Sequence, residues 1–149
     1  MITVRRAEHR DIPGMLKQLE SFAKFYTSKR SVWPDDNEYA VAGVQTIIDN
    51  HLVYVADHSE HGIVGLIAGF ITPHFFNPKI RVLAEMFWWV DVEFRNTSAG
   101  SRLFSEFLNW GKENADWVTM VLENNSPVRE ETLLKRGFKL QERSYLFEV

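Results

Sequence analysis

Apolar residues recur at helical spacing in the first third of the chain and at strand spacing in the middle. Ile2 to Ala7 reads as a short strand. Asp11 follows as an N-cap, with Pro13 in the first turn behind it. Ile12, Met15, Leu16, Leu19, Phe22, Ala23 and Tyr26 then return at intervals of three and four, the period of an amphipathic helix. Thr27 to Asn37 breaks that period with polar residues, Trp33-Pro34 and the pair Asp35-Asp36. A second, shorter helix is predicted over about Glu38–Ile48.

From Leu52 the period changes. Leu52–Ala56 and Ile63–Thr72 read as strands joined by a hairpin turn over Asp57–Gly62. After a second turn at Pro73–Pro78, a third strand runs from about Ile80 to Asp91. Its middle, Val82 to Val90, is almost continuously apolar, as expected of a strand covered on both faces. Glu85 is the one charge inside it. The helical period resumes from Ala99 through Leu103, Phe104, Phe107, Leu108 and Gly111. Trp117–Leu122 reads as another strand, and Ser126-Pro127 as the cap and first residue of a short helix reaching Lys135. Gly137 ends that helix, and Phe138–Val149 is expected to supply one or two final strands. The predicted order is β-α-α-β-β-β-α-β-α-β, a mixed α/β chain whose hairpins and crossovers call for a mixed, mostly antiparallel sheet flanked by about four helices.

Composition narrows the picture. At 149 residues, with dispersed prolines and glycines and no internal repeat, residues 1–149 are expected to form a single domain. The 45% hydrophobic content supports a core, and 17 basic against 20 acidic residues give a net charge of −3. That balance argues against nucleic acid as a partner, because binding a phosphate backbone relies on clustered positive charge. No apolar run is long enough to span a membrane. Met1 to Arg6 has neither the apolar stretch nor the small-residue cleavage site of a leader, so the expected compartment is the cytoplasm. The absence of cysteine removes disulfides, thiolate nucleophiles and thiolate-bound metals. His58-x-x-His61, beside Asp57 and Glu60, is read as a solvated hairpin turn, and no metal site is expected.

The most informative segment is the strand, the turn Arg95-Asn96-Thr97-Ser98-Ala99-Gly100, and the helix it opens. Small side chains there leave backbone N–H groups open to an anion, and the positive end of the helix dipole adds to them. An ordinary capped turn is the competing reading. No Gly-Lys-Ser/Thr follows, so the turn is not a Walker A loop, and one glycine in place of three fits a dinucleotide fingerprint poorly.

With these residues in view, the chain resembles the GCN5-related N-acetyltransferases (GNAT). That family's cofactor motif is Gln/Arg-x-x-Gly-x-Gly/Ala, and the chain offers Arg95-x-x-Ser98-x-Gly100 with Leu103 beyond it. Ser98 replaces the first glycine. Upstream, Val90-Asp91-Val92-Glu93-Phe94 is similar to the family's V-D-P-E-Y approach, with Val92 in the proline position. Downstream, Lys135-Arg136-Gly137-Phe138 matches the Lys-x-Gly-Phe ending of the last helix. The opening Val4–Ala7 followed by Asp11-Ile12-Pro13 is also typical of the family. Trp88-Trp89-Val90-Asp91 is similar to acetyltransferases encoded by bacteriophages, which would make the compartment a host cytoplasm.

The resemblance implies acetyl-CoA as co-substrate and a primary amine, on a small molecule or a protein, as acceptor. Amides of Arg95, Asn96, Thr97, Ser98, Ala99, Gly100 and Ser101 would hold the pyrophosphate, and the backbone near Trp89 and Val90 would pair with pantetheine like an added strand. Two roles are open to Arg95: a phosphate contact, or an ion pair with Glu93. Asn125 and Ser126 stand where the family has a cofactor-contacting residue, or else act as helix caps. Glu85 is the expected general base, since burial in an apolar strand would raise its pKa; its alternatives are an ion pair with an arginine such as Arg81, or a carboxylate reaching solvent at the sheet's edge. A tyrosine usually protonates the leaving thiolate, but Leu133 stands in that position, leaving Tyr145, Ser126 or solvent. Without cysteine, transfer would be direct, within a ternary complex. A binding module of low or no activity on the same fold is the alternative. An acidic rim at Asp35, Asp36 and Glu38 would favour a cationic amine. Trp33, Phe75, Phe76 and Trp110 are left for an acceptor pocket or a homodimer contact.

Overall fold

A computed structural model describes residues 1–26 and 28–149; Thr27, the first residue of the predicted polar break, lies outside the described residues. The strands are β1 (Ile2–Arg6), β2 (Leu52–His58), β3 (Gly62–Pro73), β4 (Arg81–Val90) and β5 (Trp117–Thr119), and the helices are α1 (Ile12–Ala23), α2 (Asn37–Asn50), α3 (Ala99–Asn114) and α4 (Glu130–Lys135). Strand order in the sheet equals chain order, β1-β2-β3-β4-β5. All neighbours are antiparallel except β4 and β5, which are parallel and joined through α3. This is the mixed α/β architecture that the alternation of periods predicts.

Side-chain alternation along β2 shows why the sheet carries helices on both faces. Leu52, Tyr54 and Ala56 pack toward α3, against Leu103 and Phe107. Val53 and Val55 pack toward α1 and α2, against Met15, Leu19, Val44 and Ile47. Each face therefore has its own apolar stripe, and the period of two along the strand feeds both. A third, smaller cluster joins Phe104 and Leu108 of α3 to Leu133 of α4.

Several expectations are corrected. Asp11 precedes α1 but its carboxylate does not cap it. Instead it takes both guanidinium nitrogens of Arg5 at 2.8 Å and the Glu8 amide at 2.8 Å. Helix α1 ends at Ala23, before Tyr26. The last helix begins at Glu130 rather than Ser126, because the Ser126 hydroxyl accepts the Val128 amide in a local turn and Arg129 is still extended. β5 stops at Thr119, short of Leu122. The final strands predicted over Phe138–Val149 do not form. A strand needs a partner edge, and β5 offers only three residues. Near the end of that segment, Glu148 accepts from the Lys29 amide at 2.8 Å, while Leu140, Tyr145, Leu146 and Phe147 stay exposed.

Candidate active site

β4 and β5 pair over Val82–Trp117, Leu83–Val118 and Ala84–Thr119, and then part. The second half of β4 has β3 on one side and, among the described residues, no strand on the other. The split opens into a cavity of about 350 Å³. One wall is Glu85, Met86 and Trp88–Val90 of β4; the opposite wall is Val121–Glu123 and Asn125–Val128; Phe22 and Phe25 close one side, and Arg95, Thr97, Gly100 and Ser101 line the end at α3.

A β-bulge shapes the β4 wall. Gly69 pairs with Glu85 and Ala68 with Phe87, so Met86 has no partner on β3. Such an extra residue bends the strand and re-aims its side chains. Beyond the bulge the register decides which backbone groups are free. The Asp91 amide donates to the Val64 carbonyl at 2.8 Å, which makes Gly65–Val90 a non-hydrogen-bonded pair. By alternation, the N–H and C=O of Val90 and Trp88 point into the split, while those of Trp89 turn toward β3. The backbone groups facing the split are thus those of Trp88 and Val90. Trp89 contributes its ring instead, held by a bond from its indole N–H to the buried Gln18 at 3.0 Å.

Glu85 is 7% exposed and lines the cavity. Burial pushes its carboxyl up to about 7; the Val121 amide, donating to it at 3.1 Å, pulls back, and the neighbouring Glu123 pushes further. No cation pairs with it among the described residues, and Arg81 uses its amide to reach Asp116 instead. A carboxylate that titrates near neutrality on a cavity wall can take a proton from a bound amine.

At the other end, the turn before α3 presents free donors. The amides of Ser98, Gly100 and Ser101 have no acceptor among the described residues. A Cβ built on Gly100 would meet nothing nearer than Val90 at 3.7 Å, so an anion can approach the backbone there. This donor set fits a pyrophosphate. Asn96, Ser98 and Ala99 do not line the cavity; Asn96 and Ser98 are exposed, and Ala99 is fully buried under the turn. Arg95 pairs not with Glu93 but with the Val90 carbonyl, donating from Nε at 3.0 Å. Asn125 lines the cavity and ties its loop to the end of α1 through the Phe25 carbonyl at 2.8 Å, and Ser126 also lines it.

Other predicted positions lie elsewhere. Leu133 is in the core against Phe104 and Leu108, and Tyr145 is exposed. Asp36 caps α2, and Asp35 borders a separate hollow that also contains Lys24, Lys29 and Arg30. The carboxylate beside Glu85 is Glu123, which the sequence reading missed along with Phe22 and Phe25. His58 accepts the Glu60 and His61 amides inside the hairpin turn. Among the described residues no group of three or more His, Asp or Glu is placed to hold a metal ion. Trp33 and Trp110 are half-buried against the two main clusters, while Phe75 and Phe76 project into solvent.

The profile described as the acetyltransferase (GNAT) family matches residues 16–138. The chain belongs to the GNAT family. Solved structures share its fold at low identity. An acetyltransferase of Trypanosoma brucei superposes with a TM-score of 0.76 at 20% identity, over 100% of both chains. Glucosamine-6-phosphate N-acetyltransferase of Arabidopsis thaliana gives 0.73 at 15%, over 99% of this chain and 98% of the other. An aminoglycoside acetyltransferase from an uncultured soil metagenomic sample, in complex with sisomicin, gives 0.69 at 16%, over 99% and 95%. Among curated proteins there is no sequence match. None of these findings supports a phage origin for this GNAT chain. Among the described residues no helix is long and apolar enough to cross a membrane.

Proposed function

We propose that this GNAT protein transfers the acetyl group of acetyl-CoA directly to a primary amine. The observation that carries the reading is one cavity that joins the buried Glu85, without a cation partner among the described residues, to the free Gly100 and Ser101 amides of the α3 turn. The Gly100 and Ser101 amides would hold the pyrophosphate, and the gap-facing backbone of Trp88 and Val90 would pair with the pantetheine amides. Acetyl-CoA supplies the activated thioester.

An amine whose ammonium form has a pKa near 10.4 is only rarely unprotonated, with a free lone pair, at neutral pH. Glu85, titrating near 7, takes the proton as nitrogen approaches the carbonyl carbon. The N–C bond forms, the nitrogen's second proton passes by way of solvent or Ser126 on the opposite wall to the leaving sulfur, and the C–S bond breaks to release CoA as its thiol; Leu133, in the core, supplies no proton. Two carboxylates, Glu85 and Glu123, make a cationic amine the favoured acceptor. The aminoglycoside and glucosamine-6-phosphate acetyltransferases named above support an amine-bearing acceptor of small size.

Thermal unfolding with and without millimolar acetyl-CoA tests the cofactor half of this reading, since selective binding raises Tm by mass action. No shift would reject it. Release of CoA thiol over a panel of amines tests the transfer half. Cofactor binding without thiol release from any amine would leave an acyl-CoA-binding module, the reading that the core position of Leu133 favours.

A further inference from the structure

Arg95 occupies the backbone acceptor that a strand-like ligand would need, and does so with the side chain best placed to meet a phosphate. The Val90 carbonyl points into the split because Gly65–Val90 is the non-hydrogen-bonded pair of the β3–β4 ladder. Arg95 Nε donates to that carbonyl at 3.0 Å. The guanidinium then lies 4.6 Å from the centre of the Trp89 ring and 5.4 Å from that of Phe25. All four residues line the same cavity. The terminal nitrogens of Arg95 have no acceptor among the described residues. It is a half-buried cation with aromatic cover and no anionic partner among the described residues, a few residues from the free Gly100 and Ser101 amides.

Resting on the acetyl-CoA reading above, we infer that Arg95 determines which thioesters enter the site. It exchanges the Val90 carbonyl for the diphosphate of the ligand, and that exchange releases the carbonyl to the pantetheine amide. A thioester with phosphates removes its own obstacle. A pantetheine thioester with none must compete with Arg95 for the same oxygen. The open arrangement is then a minor state for the phosphate-free ligand, and its apparent affinity falls by the fraction open. A charge-assisted hydrogen bond and aromatic stacking at a half-exposed position correspond to about a tenfold penalty.

Calorimetric titration of the wild type, Arg95→Ala and Arg95→Met with acetyl-CoA and with acetyl-pantetheine tests this. Met keeps apolar cover over Trp89 without a donor, so it serves where the Ala variant fails to fold. The expected result is acetyl-pantetheine binding about tenfold tighter in the variants than in the wild type, with acetyl-CoA binding weaker. In the wild type, the Arg95 Nε–H NMR signal should shift on adding acetyl-CoA as its acceptor changes. Acetyl-pantetheine binding that is equal or weaker in the variants, while the wild type binds acetyl-CoA, overturns the role of Arg95 alone. A wild type that binds no acetyl-CoA overturns the proposed function and this inference with it.

Discussion

The Glu85 carboxylate accepts the Val121 amide N–H at 3.1 Å, just past the last residue pair that β4 and β5 share. A side chain has taken over from the backbone ladder. Where a continuing parallel strand would have found a carbonyl on β4, Val121 finds a carboxylate, and the two chains separate around it. The same group thus bridges the start of the split and lines the space beyond it. Its burial follows from the apolar strand around it, and its raised pKa follows from its burial. Structure and proposed chemistry meet in one residue.

The first prediction concerns the pH dependence of transfer. A general base must be ionised, so kcat/KM should rise with pH and level off above about 7, the value set by burial of Glu85. Glu85→Gln removes this limb and should lower kcat/KM by about 10²–10⁴-fold. A pH–rate profile measured with one acceptor for both proteins checks it. An unchanged profile in the variant removes Glu85 from the reaction.

The same substitution should make the protein more stable. The folded-state pKa of Glu85 lies above its unfolded value of 4.5, so its contribution is full below that value and is lost as pH rises through about 7. A displacement from 4.5 to about 7 corresponds to roughly 3 kcal/mol between the two protonation states. Glutamine keeps an oxygen for the Val121 amide and carries no charge to desolvate. Urea unfolding should show Glu85→Gln gaining on the wild type as pH rises from 5 to 8, by about 1–3 kcal/mol. Equal stabilities at pH 8 would contradict the buried, unpaired state of this carboxylate.

Much of this site could be read in the sequence because it depends on local signals. Glu85 stands out as one charge in an apolar run, and the turn at Arg95–Gly100 announces itself by small residues between a strand and a helical period. What escaped depends on contacts between distant segments. Glu123, Phe22 and Phe25 meet at the cavity through tertiary packing, Phe22 against Trp89 and Phe87 of β4 and the Asn125 loop on the Phe25 carbonyl. The bulge at Met86 leaves no mark in a run that is apolar at nearly every position, so which of Trp88, Trp89 and Val90 faces the split was not legible. Ser126-Pro127 looks like a helix start, yet the serine closes a turn on Val128. The alternating end of the chain looks like strand, and the short β5 edge gives it nothing to pair with.

Gly100 separates cofactor binding from folding. It lies in the first turn of α3 with open space where a side chain would stand. Gly100→Ala should therefore be neutral or stabilising, by up to about 1 kcal/mol from helix propensity. The added methyl group projects into the approach to the free amides, so acetyl-CoA affinity should fall about tenfold. Calorimetry and thermal unfolding on the same sample check both halves. A variant that binds acetyl-CoA as well as the wild type would move the pyrophosphate away from this turn.

The last prediction lies far from the cavity, at the joint between β1 and α1. Asp11 is 5% exposed and takes two hydrogen bonds from Arg5, which also reaches Asp57 at 2.9 Å. Burial alone would raise the pKa of Asp11, but the Arg5 bonds and the Glu8 amide outweigh it and hold the carboxyl below its usual 3.8. A lowered folded-state pKa means that the stabilisation is present above the unfolded value and disappears as pH falls through the folded one. Asp11→Asn should cost about 2–3 kcal/mol at pH 7, less than the loss of a wholly buried partner because Arg5 keeps Asp57 and some solvent. The gap between variant and wild type should hold down to pH 4 and close below it. Denaturant unfolding at pH 7, 4 and 2.5 checks the sign. A gap that widens on acidification would mean that Asp11 acts through shape rather than charge.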